Sequence, residues 1–451
     1  MSAALDYTYI YPYQSHVQTR EHHPHLTLAT CNGKQQNPYF FEGRLLNPRT
    51  IGNMFLVLSD VVRTHFFLPR PALLDPVLTS NDELIRLEGF SGCCGVYVRV
   101  DLFETAFESS IKNRGTTNVD FNVPMRNALM RLRDDEDVTF SIGEDEVVLS
   151  RKENKTIEKK VKLPLRWIKG FSEVQAYQAG LKPALEINAL EALKFIRTLP
   201  KANISKRPTF VVPAGKSLRL SNRESRNAIR ISGTHRIRIL EPLLAQANSL
   251  RIWYDSSSLV SGWEVSFNEG RFFLVISPEL YRGFTGEGQN LFALADSNWQ
   301  AILPGIRSQL RWQNQINVDD LAKQMDEPKD AILSGLAVLG ARGLAGYDVM
   351  MQKYFHRELP FDLEKIESMQ PRLKNARKLL EEKAVLPGSS TENKTREFAV
   401  IGSNARYHVR LNVSGDECTC PWFSKYQGQR GPCKHILASQ LYEDTSGSQE
   451  V

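Results

Sequence analysis

At 451 residues, with 41% apolar and 24% charged residues, the chain has the composition of an ordinary globular protein and is too long for a single core, so two to four domains are expected. A net charge of +6 is mild over that length, so any nucleic-acid surface has to be a local patch. No basic n-region with an apolar h-region opens the sequence and no long apolar run occurs, which argues against a secretion signal, a membrane span and a membrane partner.

Within residues 1–47, Tyr7, Tyr9, Tyr11 and Tyr13 alternate as in a strand that Pro12 confines to an edge. His16, His22, His23 and His25 lack cysteines or a regular spacing, so a solvated segment describes them better than a metal site. From Thr50 the residues Ile51, Met54, Phe55, Leu58, Val61 and Val62 form one helical stripe. Strand-like runs follow at Glu83–Glu88 and Val96–Leu102 around a Gly-rich turn, Gly89–Gly95. Pro124 then opens a helix with Met125, Ala128, Leu129 and Leu132 inward. Three alternating runs, Val138–Ile142, Glu146–Ser150 and Thr156–Leu163, lead to a closing segment at Trp167–Phe171.

A similar order returns. Asn188 with Glu191 reads as a capping box, with Leu190, Leu193 and Ile196 facing inward. Strands are expected at Thr209–Val212, Ser217–Leu220, Ala228–Ser232 and Ile237–Leu240. A helix at Pro242–Ala247 precedes strands Leu250–Tyr254, Trp263–Phe267 and Arg271–Ile276, and the unit closes at Leu280–Phe284. The fold class expected is therefore α+β and multidomain, with a duplicated body: a first unit at 1–180 and a second at 181–295. This order resembles the repeated domain of DNA sliding clamps, a likeness of topology with no motif behind it.

Residues 296–386 change to helices. Asn317 caps Val318–Met325, Pro328 starts a second helix carrying Ile332, Leu333, Leu336 and Leu339, and Leu344–Val349 is strand-like, which together reads as a winged helix. Its second helix lacks the cluster of Arg, Lys, Asn or Gln that base reading needs, so a structural or protein-binding role is expected. A polar helix, Leu363–Lys383, restarts at Pro371, and Pro387–Lys394 has the composition of a linker.

Catalytic motifs fail on inspection. Ala214-Gly215-Lys216-Ser217 lacks the first glycine of a phosphate-binding loop, since Phe210 stands there. Gly89-Phe90-Ser91-Gly92-Cys93 misses the second glycine of a nucleophile elbow. Cys94 is better read as a small buried residue than as a nucleophile. The chain is accordingly expected not to be an enzyme. Between Lys216 and Arg238 lie Lys216, Arg219, Arg223, Arg226, Arg230, Arg236 and Arg238, opposed by Glu224 alone. Alternation of Arg230, Arg236 and Arg238 with Ile229, Ile231, Ile237 and Ile239 predicts a strand face that binds phosphate without reading sequence, or a solvated face neutralised by acids elsewhere in the fold.

The soft ligands cluster near the other end of the chain. Cys418 and Cys420, then Cys433 and His435, give C-x-C-x12-C-x-H, a complete tetrahedral set for one structural Zn²⁺. Runs at Glu397–Ile401 and Tyr407–Val413, a turn at Ser403-Asn404 and a helix from Cys433 make a ββα minidomain over 395–445, with Ile436 and Leu437 turned to the hairpin. Thiolates held for zinc must stay reduced, so a cytoplasmic location is expected.

This motif, with Cys420-Pro421-Trp422-Phe423 and Gly431-Pro432-Cys433-Lys434-His435 around it, resembles the SWIM zinc finger family, and the chain resembles bacterial proteins that carry the finger near one end. The resemblance implies binding of DNA or another nucleic acid, or of protein partners including an ATPase for which the chain would be an adaptor. The finger's own Lys425, Arg430 and Lys434, near Trp422, Phe423 and Tyr426, are expected to be a weaker second nucleic-acid contact than the arginine face.

Overall fold

The structure is a computed structural model that describes residues 7–9, 16–20, 23–29, 39–66, 76–112, 114–118, 121, 123–143, 161–163, 165–202, 208–278, 283–285, 288, 299–310, 313–359, 370–390, 395–402, 405–412, 415–428 and 430–447. The expected turn at 403–404, the strand at 146–150 and the start of the helix at 363–369 lie outside them. The chain divides into two compact units, Met1–Gly170 with Gly180–Thr285, and Phe171–Ala179 with Gly286–Val451.

In the first unit the strands in chain order are β1 (Tyr7–Tyr9), β2 (His16–Arg20), β3 (His23–Ala29), β4 (Tyr39–Leu45), β5 (Val77–Ser80), β6 (Ile85–Phe90), β7 (Val96–Leu102), β8 (Phe107–Lys112), β9 (Gly115–Asn118), β10 (Thr139–Gly143) and β11 (Val161–Leu163). They continue with β12 (Lys182–Asn188), β13 (Thr209–Ala214), β14 (Ser217–Ser221), β15 (Ile229–Ile231), β16 (Ser249–Tyr254), β17 (Ser261–Ser266) and β18 (Gly270–Ile276). Helices α1 (Pro48–Arg63), α2 (Val123–Leu129), α4 (Ala189–Thr198) and α5 (Thr234–Ile237) lie between them, and α3 (Leu165–Gly180) has its Phe171–Ala179 stretch in the second unit. An eight-stranded sheet, β12-β16-β17-β18-β7-β6-β5-β9, joins four later strands to four earlier ones through the antiparallel β18–β7 pair, where Leu274 lies opposite Val98. The apolar stripe of α1 is buried along its length, as its periodicity requires.

This sheet also buries charge. Asp101 on β7 accepts from Arg86 Nε on β6 and from Arg271 Nε on β18, each at 2.7 Å. Burial alone would raise the Asp101 pKa, but Arg86, Arg99 and Arg271 outweigh it and hold the carboxyl well below the usual carboxylate range.

Several expectations are corrected here. The run Ile237–Leu240 is not a strand: Gly233 takes φ +63°, the chain turns into α5, and Arg238–Leu243 follows as 3-10 helix. Arg236 and Ile237 are consecutive and both buried, which strand alternation does not allow on a sheet with one open face. Trp167–Phe171 lies inside α3, and Gly283–Thr285 is a single 3-10 turn, so the two Gly-Phe pairs have different local structures. Asn188 does cap α4, its Oδ1 accepting from Glu191 N at 2.9 Å, but Leu190 points outward and Ala192, Phe195 and Ile196 form the buried face.

The second unit opens with α6 (Trp299–Leu310), α7 (Val318–Met325) and α8 (Lys329–Ala341), then the hairpin β19 (Ala345–Asp348) and β20 (Lys353–His356), to which Ile316 bridges at Tyr354. A Cβ at Gly335 would meet Ile306 Cδ1 at 2.4 Å, so glycine is what lets α8 lie so close to α6. Helix α9 (Pro371–Glu381) does start at Pro371. A four-stranded sheet follows, β21 (Val385–Ser390), β22 (Arg396–Ile401), β23 (Arg406–Leu411) and β24 (Glu417–Cys418), with α10 (Pro421–Tyr426) and α11 (Lys434–Gly447) after it. The expected linker is overturned in its described part: Pro387 pairs with Phe398, so this stretch is the outer strand of the finger's own sheet. No helix among the described residues is long and apolar enough to cross a membrane.

Candidate metal centre and basic surfaces

Strand β24 and the start of α10 carry Cys418 and Cys420, and the start of α11 carries Cys433 and His435. All four side chains are buried, and their ligand atoms lie within 4.8 Å of one another. Cys418 Sγ stands 3.8 Å from His435 Nδ1. A tetrahedral zinc with bonds of ~2.3 Å to sulfur and ~2.0 Å to nitrogen places such a pair about 3.5 Å apart, so the cluster has about the size of one zinc shell.

Backbone amides point at the sulfurs: Cys420 N at Cys418 Sγ (3.4 Å), Phe423 N at Cys420 Sγ (3.4 Å) and Ile436 N at Cys433 Sγ (3.5 Å). Donors of this kind stabilise thiolates and fix their direction. The Tyr407 ring stacks on His435 at 4.4 Å and sets the imidazole plane. The donor set is closed, three sulfurs and one nitrogen, and it can hold one zinc ion as a structural element.

Sequence reasoning missed a residue well upstream. Arg372 on α9 donates from Nη1 to the carbonyls of Arg430 and Pro432, both at 2.7 Å, and its guanidinium lies 4.5 Å from the centre of the Trp422 ring. It thereby closes the loop leading into Cys433. Only proximity in space reveals this; an arginine in a polar helix carries no such signal in sequence. Around it, Arg430 sits 4.3 Å and Lys425 5.1 Å from the centre of the Tyr426 ring, and Trp422 and Tyr426 lie 5.0 Å apart. Lys434 is partly exposed next to Cys433. A cleft of about 540 Å³ opens beside Cys418, lined among others by Glu397, His408, Arg410, Glu417 and Phe423.

The three arginines expected on one strand face are separated. Arg230 is exposed on β15. Arg236 is 1% exposed and donates from Nη1 to Gly95 O and from Nη2 to Ser277 O, both at 2.8 Å. Arg238 donates to the carbonyls of Ile196, Arg197 and Leu199 and pairs with Glu241 at 3.0 Å. For Arg236 and Arg238 the alternation with isoleucine is helical packing read as a strand, whereas Arg230 between Ile229 and Ile231 does alternate on one. The other motifs set aside in sequence also fall into place as structure. Gly215, at φ +64°, sits in the tight β13–β14 hairpin, and Cys94, at φ +56°, lies in a buried turn where burial pushes its thiol up to about 12.

Residues 407–439 match the family model for the SWIM zinc finger. That stretch contains all four clustered ligands and the second strand of the hairpin, so the C-terminal part of this chain carries a SWIM zinc finger. Among solved structures the chain is similar to Proliferating Cellular Nuclear Antigen from Entamoeba histolytica, at 8% identity and a TM-score of 0.35, over 53% of this chain and 99% of that one. No curated protein matches the chain.

Proposed function

We propose that the protein is a non-catalytic binding protein whose zinc-built finger recognises nucleic acid. The observation that carries this reading is the basic and aromatic surface beside the metal centre, where Trp422 and Tyr426 are flanked by Lys425, Arg430 and Lys434. Aromatic rings with adjoining cations suit unpaired bases and their phosphates, each stacked base contributing ~1–3 kcal/mol. Zinc would act only by holding α10 and the start of α11 in place. The test is binding of fluorescent single-stranded oligonucleotides to the zinc-loaded full chain. Lys425→Gln with Tyr426→Ala should weaken binding at least about ten-fold while zinc content is retained. Unchanged affinity in the zinc-loaded variant overturns the reading.

A second reading rests on the cleft. Glu397 and Glu417 face it together with His408 and Arg410, a mixture of charges that suits a polypeptide better than a polyanion. In that case the finger docks a protein, and the chain is an adaptor of the kind the family resemblance implies, with an ATPase among its partners. Co-purification of a discrete partner, lost on Arg410→Glu, would favour it.

A further inference from the structure

The three-stranded sheet β14-β13-β15 belongs to the first unit and is independent of the finger. Its register sorts the side chains. Val211 lies between Leu220 and Ile229, and this apolar face also carries Leu218 and Ile231, all of them buried or nearly so. The opposite face carries Arg219 opposite Val212 and Arg230 opposite Phe210. Lys216 stands at the hairpin tip, and Arg223 and Arg226 stand in the loop between β14 and β15. All five cations are exposed, and none makes a side-chain ion pair or hydrogen bond among the described residues.

The nearby acids are few. Glu224 lies in the same loop, and it and Asp255 both act on Tyr254, next to which Arg230 also lies. Asp255 is already engaged by Ser257 and Ser258. Glu191, which reaches Ser217, pairs with Lys194. Five cations against Glu224 and Asp255 leave a local excess of positive charge on a chain whose total is +6. Exposed arginines at such density repel one another unless an anion lies across them.

We infer that this face of the β14-β13-β15 sheet binds the phosphate backbone of duplex DNA without reading its sequence. Arg219 and Arg230 sit on the two outer strands and are offset by two residues along β13, which sets their backbones about 12 Å apart at ordinary strand spacing. That span is about the width of the major groove, so the two guanidinium groups can take phosphates on either side of it. The aromatic ring of this face, Phe210, is buried, so the face offers charge where the finger offers rings, and a duplex suits it better than unpaired bases.

The test uses the zinc-loaded full chain and a fluorescent duplex of arbitrary sequence, with affinity measured across a salt series. Each phosphate neutralised contributes about 0.9 to the slope of log affinity against log salt. Arg219→Gln with Arg230→Gln should lower that slope by about two on every duplex. Arg219→Lys with Arg230→Lys should retain it, because charge alone is needed. A slope unchanged in the Gln pair, an equal loss in the Lys pair, or no binding of duplex by the parent protein overturns the inference. Should the Gln pair fold poorly by circular dichroism, Lys216→Gln with Arg226→Gln in the loops carries the same expectation. Unchanged single-strand binding in the finger variant, with the duplex slope still lowered by the Gln pair, would count against the finger alone.

Discussion

Arg236 donates its Nη1 proton to the carbonyl oxygen of Gly95, 141 residues earlier in the chain, at 2.8 Å. Its second arm reaches Ser277, so one guanidinium fastens the end of β18 to the turn before β7. Burial lowers its pKa to about 10, which still leaves it charged at neutral pH. Arg236→Met should cost about 2–4 kcal/mol in denaturant unfolding, since two buried carbonyls lose their donor. The salt slope of nucleic-acid binding should not change. A shallower slope in the folded variant would mean that Arg236 reaches solvent and phosphate.

The metal centre predicts one zinc per chain, bound by Cys418, Cys420, Cys433 and His435. The ligand thiols bind as thiolates, so protons compete with the metal and zinc should be released as pH falls. Because β21 pairs with β22 and Arg372 holds the loop before Cys433, chelation should also expose amides in Val385–Ser390 and α9. Hydrogen exchange with and without chelator measures this. Protection confined to residues after 395 would restore the isolated module that the linker composition suggested.

Arg372→Ala should loosen the finger without touching a ligand. It removes two hydrogen bonds to carbonyls and a cation–π contact that together contribute roughly 2–4 kcal/mol. Zinc should leave faster, as read by transfer to a chromogenic chelator. Arg372→Lys should restore the finger only in part, since one ammonium nitrogen can still donate to both carbonyls but the guanidinium contact with the Trp422 ring is lost.

His356 gives a pH dependence. Burial, then the charge of Arg307, lowers its pKa to about 4 from the ordinary value of 6.5. The unfolded chain therefore takes up the extra proton first as pH falls. The stabilising contribution of neutral His356 is complete above about pH 6.5 and is lost as pH drops toward 4. His235, lowered to about 4 by burial and then by Arg236, acts in the same direction. The midpoint of unfolding should fall through this window, and His356→Gln should flatten part of the fall.

Cys93 and Cys94 should resist alkylation at pH 8 in the folded protein and react in denaturant, because both are buried and the Cys94 thiol is raised to about 12. Mass-spectrometric mapping reads this directly. Changing both to Ser should lower stability and leave binding intact.

The features legible in sequence were those that local chemistry dictates. The stripe from Ile51 to Val62, the Asn188 cap, the Arg396–Ile401 and Arg406–Leu411 hairpin and the four metal ligands each depend on spacing within a few residues. What failed depended on distant partners. Alternating Arg and Ile from 236 to 239 looked like a strand because periodicity cannot show that Gly233 turns the chain or that Gly95 and Ser277 await a donor. The Pro-Gly-Ser composition at 387–390 signalled a linker because an outer strand need satisfy only one neighbour. Arg372 left no trace at all, since its contacts lie 58 and 60 residues away.

The β18–β7 junction bears on how the chain comes to be folded at all. When β7 leaves the ribosome its partner on that side has not been made, and Gly270–Ile276 must still be synthesised. At ~5–20 residues per second that wait is on the order of ten seconds or more. During it the edge of β7, with Arg99 and Asp101 lacking the charge that Arg271 brings, is open to the wrong strand. Placing ions rather than only valines on that edge makes a stray hydrophobic strand a poor substitute, so the same buried charges that cost desolvation in the finished sheet guard its unfinished state.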